Sequence, residues 1–563
     1  MRKTLLLLLL LSSAAFGQTQ FFVSPAGNNA AAGTLLQPWQ TAQYALDHAS
    51  PGSTIYLMGG AYHENLVATI SGTPNNGITL TSYAGQTAVI DGDGTNGDYL
   101  LKISGKSYIS VHHLEFKGLS KNNACAILIE GNSAFLEIRN NKIHDINFST
   151  VAGDPVLAGK SARAIAVMGT DPLNTVSTIT VSGNEIYSCR TGKSAAVEIS
   201  GNADSFVINR NKIHDITNSG IGIIAYNGTC TDQLNDRPKN GLVSMNTVFN
   251  CVSIPEVAAG VRVDGALLCR IENNCLYSNT VGIVIYCSVT GKSALSIHSR
   301  DNVIYNNIDA GIIMGGPVYP TGCGSIDASS LKCNTLFENN ISGSGAELIL
   351  GYTNGADISS NIIDGNLNTE IVQIDPGTLL SMNFNLYYCQ SIPEFKWNGN
   401  SIYSFTAWQN VTTIDSNSLL TNPQMVNPVG ANFHLDMNSP AIDRGDPMYI
   451  VVSNEVDMDT MTRVQDGRVD IGADEYGTAV GIFETTSKSN STMFYDQAGT
   501  DFIIYFRTPQ TTNAKVFLLD ASGKTIGAVE AKKGDTFIKF SNTQLASGVY
   551  FANINGETLK IVR

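Results

Sequence analysis

The chain has 563 residues, which at about 100–200 residues per domain means roughly three to five domains or one long repetitive domain with attachments. Its formal net charge is −14 and only 15% of its residues are charged, a balance that argues against a nucleic-acid partner or an anionic membrane surface, since both need dense positive charge. With 43% hydrophobic residues and 53 glycines, the composition argues against extensive disorder and suits turns and β-structure.

The first 17 residues read as an export signal. Arg2 and Lys3 precede the apolar run 5–11, and Ala15-Phe16-Gly17 offers a small-x-small cut before Gln18. The apolar run is too short to span a bilayer, and the later uncharged runs of about 18 residues, such as 273–291, are interrupted by Asn, Ser, Thr and Gly. A soluble mature protein outside the cytoplasm, with no transmembrane segment, is expected.

Residues 18–104 are expected to hold an N-terminal cap and the first coils of a solenoid. They contain Phe22-Val-Ser-Pro-Ala-Gly-Asn28, Gln37-Pro38-Trp39, a helical stretch from Thr41 to Ala49, Pro51-Gly52-Ser-Thr-Ile-Tyr56 and Gly60-Ala-Tyr-His-Glu64. These residues resemble the entry segment of bacterial pectate-lyase-like β-helix proteins, which implies a strand and an amphipathic helix closing the first coil.

From 105 to 400 the sequence returns to Asn followed two residues later by Ile, Leu, Val or Tyr, at Asn141, Asn184, Asn211, Asn246, Asn274, Asn302, Asn334, Asn361 and Asn385. The base spacing is 24–28 residues, broken by insertions, and self-similarity at that period is a solenoid signature. Between the asparagines, short β-branched segments such as Ala164-Ile-Ala-Val-Met168, Gly220-Ile-Gly-Ile-Ile224 and Gly260-Val-Arg-Val-Asp264 alternate and break before a helix completes two turns. Two or three short strands per turn predict a right-handed parallel β-helix with coils about 4.8 Å apart. The asparagines are read as structural, stacking their amides inside at a left-handed bend. His144-Asp145 and His214-Asp215 fall at matching positions of the repeat and are read as repeat structure. The ten cysteines lie between residues 125 and 389 without any C-x-x-C pair; buried thiols with one or two loop-pinning disulfides are expected.

Chemistry is sought on the second strand of each unit, which the long insertions precede or follow. With its apolar residues inward, Ala166, Glu198, Gly222, Arg262 and Val284 point outward, followed by Met168, Ser200, Ile224, Asp264 and Tyr286. Gly222 is expected to leave a notch between Glu198 and Arg262, two coils or about 9–10 Å apart. Insertions near 147–161, 226–240, 249–259, 287–295 and 316–330 converge there, as insertions that build a binding wall do. Tyr226, Tyr286 and Tyr319 offer stacking faces for sugars, and Arg163 a positive charge for substrate. Elimination from a uronate needs a base for the proton beside the carboxylate and positive charge for the enolate. The resemblance to lyases on this fold implies calcium (Ca2+) with Lys or Arg in those roles. The candidates are Lys193, Lys239 and Arg262 as base or neutraliser, and Glu198, Asp264 and Asp236 as calcium ligands. The plain alternative for each is an exposed surface charge, or for Arg262 with Asp264 a same-face ion pair. No Asp-Asp, Gly-His-Gly, Asn-Thr-Asp or Arg-Ile-Lys is present, a departure from polygalacturonase-type hydrolases.

Residues 401–477 hold Asp443, Asp446, Asp457, Asp459, Arg463, Asp466, Arg468, Asp470, Asp474 and Glu475. This stretch resembles the closing module called a choice-of-anchor domain, and its carboxylates suit either calcium or a loop salt-bridged through Arg463 and Arg468. After a linker at 478–500, residues 501–563 alternate in short strands. The turn Asp520–Gly523, Leu545-Ala-Ser-Gly-Val-Tyr550 and Lys560-Ile-Val-Arg563 resemble the C-terminal sorting domain of type IX secretion, which implies that machinery as a partner and release or attachment at the outer cell surface. A sugar-binding sandwich is the alternative there.

The expectation is an all-β chain, a right-handed parallel β-helix followed by a small C-terminal β-sandwich. It is expected to act as a monomer on polysaccharide, as a calcium-assisted lyase for an acidic glycan. The competing readings are a non-catalytic carbohydrate-binding or adhesin scaffold and a neutral-glycan hydrolase.

Overall fold

The structure is a computed structural model that describes residues 19–253, 257–316, 322–452, 455–465, 467–477, 493–498, 501–506, 513–520, 524–533, 537–541, 549–554 and 557–562. The expected leader, Tyr319, Asp466 and most of the turn at 520–523 lie outside the described residues. The chain divides into two units, residues 1–82 with 87–477, and 83–86 with 478–563. The first is a parallel β-helix. A representative coil runs Val176–Ser182, Glu185–Cys189 and Val197–Gly201, each strand joining a different sheet. Among the described residues the first sheet has 14 strands and the second and third have 13 each.

Alternation in the sequence becomes a column of side chains in the interior, because parallel pairing in register stacks like on like. Ile138, Val181, Ile208, Val243 and Ile271 form one such column on the first sheet. Ile143, Ile186, Ile213, Val248 and Leu276 form the next, and Val167, Ile199, Ile223, Val263 and Ile285 the third. All fifteen are fully buried. The helix Ala42–His48 covers the N-terminal end, its cap Thr41 accepting from the Tyr44 amide.

The asparagines form an unbroken internal ladder from Asn141 to Asn385. Asn246 shows the pattern: Nδ2 donates to Ile208 O and Asn274 Oδ1, both at 2.9 Å, while Oδ1 accepts from Asn211 N and Nδ2, both at 3.0 Å. The left-handed bend, expected at the asparagine, instead falls on the residue before it, as at Asn140, Arg210, Met245 and Asp301 with φ of 53–56°. Asparagine is therefore required for its amide, which fills four hydrogen bonds without water, and the bend is carried by residues of many types at about 1 kcal/mol or more each. At the far end Asp415, fully buried, accepts from Trp408 Nε1 (2.9 Å), Tyr387 OH (2.9 Å) and Ser418 Oγ (2.5 Å), and closes the ladder on Asn385.

Residues beyond 420 pack on the second sheet, Phe433, Leu435, Ala441 and Ile471 burying against Val303, Phe337, Ile362 and Leu386. Arg463, with no exposed side chain, pairs with Asp301 (3.5 Å) and Glu475 (3.6 Å), while Arg468 donates to Gly445 O at 2.5 Å. The disulfides expected to pin loops are not formed among Cys125, Cys189, Cys230, Cys251, Cys269, Cys287, Cys333 and Cys389, which are buried free thiols. Inward columns of apolar side chains leave no geometric need for cross-links. No helix of the described residues is long and apolar enough to cross a membrane. The second unit is a small β-sandwich that has, among the described residues, a three-stranded and a four-stranded antiparallel sheet; it includes Met493–Ala498, a strand inside the stretch expected to be linker.

Candidate functional site

The third sheet keeps the register read from the sequence, with Ala166, Glu198, Gly222, Arg262 and Val284 in one column and Met168, Ser200, Ile224, Asp264 and Tyr286 in the next. Two features differ from expectation. Much of this outward column is buried, with Ala166 fully so, Glu198 4% and Asp264 2% exposed. The notch at Gly222 is filled, because a Cβ there would lie 2.8 Å from the Ala195 Cβ. Loops lie over the sheet and move the open space sideways.

That space is a pocket of about 280 Å³ whose lining includes Lys160, Arg163, Lys193, Glu198, Asn218, Asn227 and Arg262. Arg163, at the start of the strand Ala162–Gly169, donates from Nε to Glu198 Oε1 at 2.8 Å, and the other Glu198 oxygen accepts from the Ala195 amide at 3.4 Å. Arg262 stacks on the Tyr286 ring at 4.9 Å, hydrogen-bonds its hydroxyl and reaches Asp264 at 3.4 Å. Its Nε is buried with no hydrogen-bond partner among the described residues. The loops bearing Lys160 and Lys193 are fastened by the Lys193 N to Lys160 O bond of 2.8 Å. Gly192 permits this approach: its φ is +67° and a Cβ would stand 2.3 Å from Lys160 O. The pocket thus gathers four cationic side chains and one carboxylate in a chain of net charge −14, a focused field for an anion.

The remaining sequence candidates fall elsewhere. Lys239 begins the strand Lys239–Ser244 of the first sheet and pairs with Asp204 at 3.7 Å, because the insertion before it ends one sheet further on. Tyr226 lines a second concavity of about 550 Å³ with Arg237, Lys292 and Tyr352, and its ring meets Arg237 at 5.8 Å and Lys292 at 5.2 Å. The expected calcium ligands do not converge. Asp236 spends its oxygens on the Gly228 and Cys230 amides (2.7 and 3.0 Å), Asp264 on the Ser288 amide and Arg262, and Glu198 on Arg163 and Ala195. With every oxygen engaged, these three carboxylates do not fit one calcium ion, which takes six to eight oxygens. Asn218 and Asn227, which nothing in the sequence pattern singles out, belong to the lining.

Over 444 residues the chain is 30% identical to "Uncharacterized protein YwoF" of Bacillus subtilis (strain 168), covering 75% of this chain and 91% of that protein. The chain belongs to the YwoF family. Within this member, residues 21–171 match the family described as Pel9A-like, right handed beta helix region, which contains the first two of the pocket's cations, Lys160 and Arg163. A 74-residue stretch is 46% identical to Pectate lyase PEL9 of Emericella nidulans, covering 13% of this chain and 18% of that protein. Among solved structures, this YwoF-family chain is similar to an alginate lyase from Paenibacillus sp. str. FPU-7 (18% identity, TM-score 0.40, 55% of this chain and 95% of that one). It is also similar to pectate lyase Pel9A (14% identity, TM-score 0.39, 82% and 96%).

Proposed function

We propose that this protein acts on an acidic polysaccharide, cleaving it by β-elimination in the pocket between Arg163 and Arg262. The observation that supports this most is the convergence of Lys160, Arg163, Lys193 and Arg262 on one pocket. A uronate carboxylate entering there meets Arg262 and Lys160, which stabilise the negative charge that spreads onto it when the neighbouring proton leaves. Lys193 is placed as the base that takes that proton. The electron pair then forms the double bond of the new unsaturated sugar, the bond to the glycosidic oxygen breaks, and that oxygen takes a proton from solvent water to become the new chain end. Arg163, held by Glu198, orients the sugar. The local match to a pectate lyase and to the Pel9A-like family points the same way.

Export by residues 1–17 and sorting by residues 501–563 belong to the same proposal, supported by the charged and apolar leader and by the seven-stranded antiparallel second unit. Deleting 501–563 is expected to retain the protein inside the outer membrane in a host with type IX secretion.

The test is absorbance near 235 nm, where unsaturated uronates absorb, with the mature chain on pectin, alginate, ulvan and glycosaminoglycans, with calcium or with chelator. A rise on one polymer that Lys193→Ala abolishes is expected. A second reading, a binding scaffold, is favoured by the pairing of Arg163 with Glu198 and of Arg262 with Asp264; it gains if no polymer is cleaved while one retains the protein in a pull-down.

A further inference from the structure

We propose that His434, Asp459 and Asp474 bind a divalent transition-metal ion of the zinc class, at a site separate from the polysaccharide pocket. One ligand atom from each of the three lies within 4.8 Å of the others. His434 sits on the strand Asn432–Leu435 and Asp474 is tied to the same strand, accepting from the Leu435 amide at 2.7 Å. Asp459 comes from the turn after Asp457, whose Oδ1 accepts from the Asp459 and Met461 amides at 2.9 and 2.7 Å and fixes the turn.

The imidazole is oriented as a metal ligand is. His434 Nδ1 donates to Asn432 Oδ1 at 2.6 Å, which turns Nε2 toward the carboxylates, where it meets Asp459 at 2.6 Å. A second partner on Nδ1 is the usual means of setting tautomer and ring direction in metal-bound histidine. Independently of that ring, Asp474 is only 4% exposed, and just one of its oxygens takes a hydrogen bond from a described residue. A metal ion among these carboxylates would offset the cost of burying Asp474, in place of the pairing that His434 makes with Asp459.

The donor set selects the ion. One nitrogen with two carboxylate oxygens suits zinc, whereas calcium takes oxygens throughout. Ligands at about 2.0–2.2 Å from a tetrahedral centre stand roughly 3.3–3.6 Å apart, so closure requires only side-chain rotation at the half-exposed His434 and Asp459. Water would complete the coordination. The ion would join the strand bearing His434 to the loops bearing Asp459 and Asp474, pinning a module that otherwise has little regular structure.

The test uses the full mature chain, stripped with chelator and dialysed, and titrated calorimetrically with zinc chloride, with cobalt absorption as a second readout. One equivalent is expected to bind, with cobalt giving the visible bands of a low-coordinate nitrogen–oxygen site. His434→Ala and Asp459→Asn should each weaken zinc binding by at least about tenfold, the energetic equivalent of one lost ligand or its orientation. Asp459 is exposed, so its variant keeps the fold if His434→Ala does not. Absence of saturable zinc binding in the wild type, equal affinity in both folded variants, or tighter binding of calcium than of zinc overturns the proposal. Because neither residue lines the polysaccharide pocket, the outcome is independent of whether any glycan is cleaved.

Discussion

The outward columns of the second and third sheets rest on the same coils, yet one is a uniform stack and the other a broken one. On the second sheet His144, Tyr187, His214, Phe249, Tyr277 and Tyr305 follow one another in register, with ring centroids 4.7–5.4 Å apart and planes within 17°. Each inner ring presents both faces to its neighbours, so none is left for a sugar, and the flanking His144–Asp145 and His214–Asp215 bonds of 2.7 Å repeat with the coil. On the third sheet Ala166, Glu198, Gly222, Arg262 and Val284 share no chemistry. Regularity along a solenoid face is what packing rewards, and departure from it marks where something other than packing sets the residue.

The largest expected effect breaks that symmetry. Lys193→Ala and Arg262→Ala are expected to lower the rate of elimination by at least about 100-fold each, the scale of a lost general base or charge stabiliser, with little change in melting temperature for Lys193→Ala and a lower one for Arg262→Ala, which strands the buried Asp264. Arg163→Ala differs in kind from Lys193→Ala. It strands Glu198, 4% exposed and held by the Arg163 Nε, and breaking a buried pair from one side costs about 3–5 kcal/mol. Stability loss exceeding activity loss in Lys193→Ala would assign Lys193 to the scaffold.

The inward side of the third sheet supplies the next effect. The second ladder, Asn279, Asn307 and Asn339, ends on Glu347, whose Oε2 accepts from Asn339 at 2.8 Å while Oε1 is buried without a partner among the described residues. Burial raises this carboxyl to about 8, against an ordinary value near 4.5, so the folded chain holds a proton that the unfolded chain releases. Stability from this group is present below about pH 4.5 and is lost as pH rises through 8, at up to about 1.4 kcal/mol per pH unit. Asp364, raised to about 7 by burial, acts in the same direction. Calorimetric melting between pH 5 and 8 should fall for the wild type and fall less for Glu347→Gln; parallel profiles would remove Glu347 from this account.

Smaller still is the effect of opening the aromatic stack. Phe249→Ala deletes contacts with His214 and Tyr277, at 4.7 and 4.8 Å, and at about 0.5–1.5 kcal/mol per ring pair should cost roughly 1–3 kcal/mol. Polymer cleavage should be unchanged, and a loss of cleavage matching that of Arg262→Ala would show that the uniform column is functional after all.

How much of this was legible depended on whether the signal was local. The repeat, the asparagine ladder and the register of the third sheet followed from spacing alone, since a stacked coil leaves each residue type its own position. The filled space at Gly222 was not legible, because Ala195, which fills it, comes from the connection entering the neighbouring strand. Nor was the bend position, since Asn140 and Asn141 read alike until one is seen to point inward. Asp236 looked like a cation ligand by type, yet its partners are amides six and eight residues earlier. Charges in long insertions were the least legible, because the sheet on which an insertion ends decides which face its flanking charge joins.

Lys239 makes that last point measurable. It closes the insertion 226–240, and by composition it belongs with Lys193 as a candidate base. The chain, however, resumes pairing on the first sheet, where Lys239 aligns with Asp204 and is bridged to it at 3.7 Å with both side chains partly exposed. A pair of that length and exposure is worth less than about 1 kcal/mol. Lys239→Ala should therefore leave cleavage unchanged and shift stability by less than that amount, beside a Lys193→Ala variant that has lost activity. Equal losses in the two would mean that the substrate crosses from one sheet to the other, and that the pocket between Arg163 and Arg262 is only part of the binding surface.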